Sequence, residues 1–444
     1  MNAPAVALPH PTFAEATRTF GKIGLLSFGG PAGQIALMHR ILVDEKRWLG
    51  EAQFLHALNY CMLLPGPEAM QLATYAGWLL HGVRGGLVAG LLFVLPGAAV
   101  ITMLSAIYLF FGDVSLIKGL LFGLKAAVLA VVLEAVVKVS RRALKDWTML
   151  ALAIAAFVAI AFLKLPFPLI IIAAAIIGAV LHRGQRGNGA PSAKADEARI
   201  VMPEWAKPNG RRLAGTLGAW LIIWFMPLLA LHAATGTTHV FSAEALFFSK
   251  MATVTFGGAY AVLSYVGQQA VEVYGWLKPE EMLTGLGLAE TTPGPLILVL
   301  VFVGFLGGAR QSGFAPLTGG LTGAAITLWF TFVPCFLWIF VGAPYVETVR
   351  NVRWLASALA AVTAAVVGII ANLAVWFGLH VLFGDVGSIA FGPFILPVPD
   401  LTKFDIASAG IAFAAAIALI RFKANMLVVL ALAMIAGIVA LVAR

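Results

Sequence analysis

Apolar residues run along this chain in long stretches broken by short polar ones. The stretches are Phe13 to Met38, Ala52 to Leu80, Gly86 to Phe111, Leu116 to Val137, Trp147 to Leu163 and Phe167 to Leu181, then Leu213 to Ala234. Six more follow: Ala243 to Tyr265, Met282 to Gly308, Leu317 to Val341, Val352 to Phe377, Ile406 to Ile420 and Met426 to Val442. A helix needs about 20 apolar residues to cross about 30 Å of hydrocarbon. The stretches are too long and too uniformly apolar for barrel strands, which alternate. The pattern therefore predicts an all-α polytopic membrane protein with thirteen segments, six, one and six.

The two groups of six match. Shifted by 228, Lys22, Phe28, Gly29, Gly30, Trp48, Leu49, Pro65, Gly66 and Pro67 fall on Lys250, Phe256, Gly257, Gly258, Trp276, Leu277, Pro293, Gly294 and Pro295. With six residues inserted after the second Pro-Gly-Pro the match resumes: Gly86 pairs with Gly320, and Ala126, Ala127, Val128 and Ala130 pair with Ala360, Ala361, Val362 and Ala364. The predicted layout is a first repeat at 1–182, a linker at 183–212, a connecting transmembrane helix at 213–234 and a second repeat at 235–444. Six segments return the chain to its starting side and the seventh carries it across, so the second repeat is expected to be inverted. Many secondary transporters are built this way, with the substrate near the midplane between the halves.

Composition agrees. Hydrophobic residues make up 61% and charged residues 11%, against about 25% charged in a soluble domain. The net charge of +9 fits membrane orientation rather than nucleic acid, because the basic loops Lys138 to Lys145 and Arg183 to Arg212, with Arg350, Arg353, Arg421 and Lys423, fall on one side. That side is read as cytoplasmic. The loop Arg40 to Arg47 joins it only if its two neighbours are re-entrant hairpins broken at Gly29 to Pro31 and Pro65 to Pro67, and the reading adopts those hairpins. The first twelve residues lack the features of a cleavable signal, so the first segment is expected to direct insertion. Cys61 and Cys335 read as packed free thiols.

Each Pro-Gly-Pro interrupts a helix and begins another inside the membrane, at Pro67 and Pro295. Such a terminus presents unpaired N–H groups and the positive end of a dipole, an anion site; the other reading is a packed kink. Gly29, Gly30, Gly257 and Gly258 allow close approach of backbone to ligand or to a neighbouring helix. Lys22 and Lys250 lie inside apolar segments, where a lysine costs about 2.5–3.5 kcal/mol; they are expected to converge on one anion, or else to snorkel. Glu68 and Glu290 are candidates for proton coupling, with Glu68 also placed to cap its helix. Gln71 shares a helix face with Glu68 and is a candidate donor to an oxyanion. His39, Arg40, His81 and Arg84 are read as segment ends, and Lys125 and Glu134 each need a partner the sequence does not name. No HExxH, GxSxG, P-loop or CxxC motif is present, so no enzyme, metal or cofactor is expected.

Together FGGPAGQIALMHR at Phe28 to Arg40, LPGPEAMQLATYAGW at Leu64 to Trp78, GGLVAGLLFVLPG at Gly85 to Gly97, FGGAYAVLSY and TTPGPL resemble the chromate transporter family in its long, two-domain form. The resemblance implies efflux of chromate, a tetrahedral dianion, across the inner membrane, driven by the membrane potential or a proton gradient and conferring resistance. It also implies two domains of opposite topology. Sulfate or another oxyanion is the alternative substrate. A membrane-embedded chromate reductase is the alternative of another class, disfavoured because no redox ligand set is present. Expected partners are the oxyanion, protons and the lipid bilayer; assembly as a homodimer is left open.

Overall fold

The computed structural model describes residues 9–184, 208–256, 259–345, 353–384 and 386–443. Gly257, Gly258, Arg350 and most of the 183–212 linker lie outside the described residues.

The first apolar stretch is two helices, α1 (Phe13–Leu26) and α2 (Gly30–His39). Thr12 caps α1 through its hydroxyl, which accepts from Glu15 N at 3.2 Å. Ser27 to Gly29 separate the helices, and Gly29 and Gly30 take φ of 85° and 74°, a region that L side chains avoid. A π-helical turn, Arg40–Glu45, extends α2. Lys46, just beyond it, pairs with Glu15 at 2.9 Å, so the far end of α2 returns to the start of α1 and the two form a hairpin.

The second stretch folds alike. Helix α3 (Glu51–Cys61) is followed by the Pro65 to Pro67 break and then α4 (Glu68–Phe111). Helix α4 is itself folded at His81 and Gly82. A Cβ on Gly77 would lie 2.4 Å from Gly85 O, so the arms on either side of that turn run back along each other. His81 also meets the rings of His10 and Phe13 edge-on. The two hairpins and the start of the long arm of α4 therefore share one end of the bundle. His39 ends α2 there with Nε2 2.6 Å from Glu51 Oε2, and Arg40 lies 3.5 Å from Glu45. Its hydrogen bond to Glu51, with the nearby Asp44 charge, holds the His39 imidazole above its usual range.

Next come α5 (Ser115–Ala143), α6 (Trp147–Ala161), α7 (Phe167–Gly184) and α8 (Gly210–Thr235). The second half repeats the hairpins with α9 (Val240–Val254), α10 (Ala259–Gln268), a π-helical turn at Gln269–Val273, α11 (Pro279–Glu290) and α12 (Val299–Gln311). Then follow α13 (Pro316–Gly342), α14 (Arg353–Phe383), α15 (Ile406–Ala416) and α16 (Met426–Val442). Among the described residues five helices are long and apolar enough to cross a membrane: Glu68–Phe111, Ser115–Ala143, Gly210–Thr235, Pro316–Tyr345 and Trp354–Phe383. Breaks divide the stretches of α1 with α2, α3 with α4, α9 with α10 and α11 with α12, whereas α6, α7 and α16 are short because their apolar stretches are.

Small residues let these helices touch. A Cβ on Gly123 of α5 would lie 1.9 Å from Ala433 O on α16, an approach that packs membrane helices without large side chains. Lys125 and Glu134 find their partners: Lys125 pairs with Glu280 at 3.3 Å and Glu134 with Lys138 at 2.7 Å. Cys61 and Cys335 are buried free thiols. One element the hydropathy pattern missed is an antiparallel hairpin, β1 (Val386–Phe391) with β2 (Phe394–Pro399), whose Ile395 N donates to Phe162 O at 2.8 Å.

Candidate functional site

The four helix breaks come together in pairs, each pair joining one half of the chain to the other. Gly66 N donates to Thr255 O at 2.8 Å, and Gly294 N donates to Ser27 O at 2.8 Å. Under the shift of 228, Ser27 falls on Thr255 and Gly66 on Gly294, so each bond is the other's counterpart.

Local bonds that shape the breaks recur on the same register. Ser27 Oγ donates to Ile23 O at 2.6 Å and Thr255 Oγ1 to Met251 O at 2.6 Å. Trp48 N donates to Leu42 O at 2.9 Å and Trp276 N to Ala270 O at 2.8 Å. In both halves a hydroxyl satisfies a carbonyl at the end of the first arm while the backbone carbonyl of the same residue receives the opposite tip. Gly66 and Gly294 have φ of 119° and 91°, which fits glycine between the two prolines. Pro67 and Pro295 stand one residue before the helices they introduce, at Glu68 and at the 3₁₀ turn Leu296–Leu298.

The tips are tightly enclosed. A Cβ on Gly66 would lie 2.8 Å from Cys335 Sγ and 2.9 Å from Gln71 Nε2. Gly97 of α4 passes so close to the second tip that a Cβ there would lie 2.0 Å from Pro293 O. Gln34 bridges the pair, its Nε2 donating to Gly294 O at 2.6 Å and to Ser27 O at 3.3 Å. Gln71 Nε2 donates to Pro65 O at 2.7 Å, so the donor expected to face an oxyanion is engaged with its own tip. Both amides are buried, and their Oε1 atoms have no hydrogen-bond partner.

The lysines take no part in these hydrogen bonds. Lys22 on α1 and Lys250 on α9 are exposed, and neither has a carboxylate within ion-pair distance among the described residues. The carboxylates differ between halves. Glu68 is partly buried at the first turn of α4, whereas Glu290 is 3% exposed at the end of α11 and accepts a short hydrogen bond from the Tyr260 hydroxyl.

Sequence reasoning did not single out Ser27, Gln34, Thr255, Tyr260 or Glu244. A signal existed for three: Ser27 and Thr255 are both hydroxylated residues on the repeat register. Glu244 was visible as an acid inside an apolar segment. Nothing in the sequence marked Gln34 as the bridge, because its partner Gly294 is 260 residues away.

Long apolar helices around paired broken ones define a multi-pass α-helical membrane protein of the transporter class. The chain belongs to the chromate transporter family, whose family model, described as chromate transporter, matches residues 14–179 and 243–438. It is 30% identical to a chromate transport protein of Pseudomonas aeruginosa, over 83% of this chain and 82% of that protein. Similarity to a probable chromate transport protein of Synechococcus elongatus is 28% identity over 83% of this chain and 86% of the relative. A chromate transport protein of Cupriavidus metallidurans is 26% identical over 82% of each chain. No solved structure matches the chain.

Proposed function

We propose that the protein is a secondary transporter that exports chromate from the cytoplasm across the bacterial inner membrane and so confers chromate resistance. The observation that carries this reading is the reciprocal pair of tip hydrogen bonds, Gly66 to Thr255 and Gly294 to Ser27. Broken backbone is tolerated at membrane depth where protein or a cavity surrounds it, and a transporter places such breaks around its substrate. The names of the relatives favour chromate over sulfate or another oxyanion.

In this reading the repeats at 1–182 and 235–444 are inverted, with the 183–212 linker and the helix of 213–234 between them. The path of α4 supports this. Its long arm starts near the bases of the first two hairpins, passes the second tip at Gly97 and reaches Tyr108, whose hydroxyl donates to Glu281 at the base of α11. Val83 to Tyr108 rises about 38 Å at 1.5 Å per residue, so the two sets of hairpins enter from opposite faces. Helix α1 is 14 residues, about 21 Å, too short for about 30 Å of hydrocarbon; this supports re-entrant hairpins. In this proposal the N-terminus, Arg40 to Arg47 and the linker are cytoplasmic, as the positive-inside rule favours.

The substrate groups in this proposal are the tips Pro65, Gly66, Pro67, Pro293, Gly294 and Pro295, the glycines Gly29, Gly30, Gly257 and Gly258, then Gln71, with Lys22 and Lys250 attracting the dianion. Glu68 and Glu290 are the proposed proton-coupling carboxyls at this site. One repeat rocks against the other, exchanging the tip-to-tip bonds for contacts with the anion. Outward movement down the potential contributes about 2.3 kcal/mol per charge per 100 mV, and a proton gradient adds to it.

Everted vesicles test this directly. Wild type accumulates chromate in the presence of excess sulfate, while Lys22→Ala and Lys250→Ala lower the initial rate at least severalfold; wild-type rates in both would remove the lysines from the site. Competition by sulfate that abolishes uptake would shift the substrate. External labelling of cysteines placed in Arg40 to Arg47 in sealed cells would rule out the proposed topology.

A further inference from the structure

We infer that Glu244 is a proton-binding site, enclosed between α9, α12 and α13, that couples proton entry to anion exit. The inference rests on the transport reading above and adds a second locus, away from the tips.

Glu244 lies on α9, 0% exposed, and among the described residues neither carboxyl oxygen has a side-chain partner, the Gly308 backbone N–H of α12 being the donor that faces it. Its niche is built by the absence of side chains. A Cβ on Gly307 of α12 would lie 2.8 Å from Glu244 Oε1, and one on Gly323 of α13 would lie 3.1 Å from Oε2. The Trp276 indole closes the space beside Gly307, with its Cγ 3.0 Å from the same Cβ position.

The charged groups on the surrounding elements are committed elsewhere. Arg310, at the end of α12, binds both oxygens of Glu281, at 2.6 and 2.7 Å, and the Tyr108 hydroxyl and Lys278 N also serve Glu281. His239, which caps α9, has Nε2 3.3 Å from Ser312 O. A carboxylate in this niche would carry an unsolvated charge with no cation and no donor beyond the Gly308 backbone N–H, at a cost of several kcal/mol. The neutral acid carries no such charge. Ionisation therefore requires that α12 and α13 part from α9 and admit water or a donor, which ties the proton to a conformational change.

Placement adds direction. Glu244 sits one turn inside the start of α9, at the end of the bundle where Ser312 and Arg310 lie; in the proposed orientation this is the external face. On the repeat register its counterpart is Ala16, so the first half has no such group. A proton taken from outside when the niche is open, and carried while it is closed, would accompany the conformation in which the tips return empty to the cytoplasm.

The experiment combines infrared spectroscopy with vesicle transport. Purified wild type should show the carbonyl stretch of a protonated carboxylic acid that shifts in deuterium oxide, changes when chromate is added and is lost in Glu244→Gln. In vesicles, each pH unit of gradient should raise the wild-type accumulation ratio by up to about tenfold for one proton exchanged, and Glu244→Gln should transport chromate with a response to the gradient reduced at least severalfold. A band that persists in the variant, or a gradient response as large as that of wild type, overturns the inference, as does coupling to sodium in place of protons. Should Glu244→Gln fail to fold, Glu244→Asp must move the band's frequency; an unmoved band again overturns it. Absence of chromate transport by wild type would instead remove the transport reading, leaving the infrared result to stand on its own.

Discussion

Gly97→Val abolishes chromate accumulation and sharply lowers the yield of folded protein, whereas Gly21→Ala leaves both near wild type. The contrast comes from what each added Cβ would meet. At Gly21 there is nothing within 4 Å. At Gly97 the new atom would lie 2.0 Å from Pro293 O, 3.0 Å from its carbonyl carbon and 2.6 Å from Leu298 Cδ1. A flexible side chain could move aside, but the carbonyl cannot easily do so, because the following residue is pinned from the far side. Gly294 N is held by Ser27 O and Gly294 O by Gln34 Nε2. Overpacking usually costs about 1–3 kcal/mol when neighbours can shift; here a shift must also break the bonds that join the halves. Size-exclusion profiles and vesicle uptake check it. Wild-type uptake by Gly97→Val would mean that α4 does not pack against the second tip.

Arg310→Ala is expected to be the most destabilising charge deletion in the second half. Glu281 is 5% exposed and receives a fork of two bonds from Arg310, one from Tyr108 and one from Lys278 N. Arg310 also donates to Trp276 O at 3.2 Å, so the guanidinium ties α12 to the start of α11 and to the turn before it, while Tyr108 brings in α4. Removing the cation leaves a buried carboxylate short of partners, a change that typically costs about 3–5 kcal/mol. Glu281→Gln in the Arg310→Ala background should recover part of the loss by removing the stranded charge. Arg310→Lys should not restore wild type, because an ammonium cannot form the two parallel bonds. Thermal unfolding in detergent measures all three; equal melting of wild type and Arg310→Ala would show the cluster to be dispensable.

Much of this was legible in the chain. The apolar stretches locate each of the sixteen α-helices described, since a bilayer imposes a length and a composition that few other environments demand. The Gly-Gly-Pro and Pro-Gly-Pro elements locate the breaks, because proline and glycine act through the local backbone and need no knowledge of neighbours. The repeat register named the pairs Gly66 with Gly294 and Pro67 with Pro295 before any contact was known.

Other features were not legible. Hydropathy counts Phe13 to Met38 as one segment; the charge of the Arg40 to Arg47 loop argues for a hairpin there, but that Lys46 returns to Glu15 at the start of the segment is visible only in the structure. Gln71 looked like a free donor because Pro65 O, its partner, is presented by the fold of the tip. Glu244 shows in sequence only as an acid inside an apolar segment; its enclosure by glycines of two neighbouring helices comes from the fold. The β1–β2 hairpin lay outside a reading based on apolar runs.

By itself, then, the sequence determined a helical membrane protein of two related halves, the positions of its broken helices and its family resemblance. These follow from composition, local backbone chemistry and self-similarity, all properties of neighbouring residues or of a fixed offset. Tertiary structure alone decided that each tip bonds to the opposite half, that Gln34 bridges them, that Arg310 serves Glu281 and that Glu244 is left without a cation. Those outcomes depend on which backbones approach at distances of 2–3 Å across hundreds of residues, and no local pattern encodes which carbonyl will be waiting there.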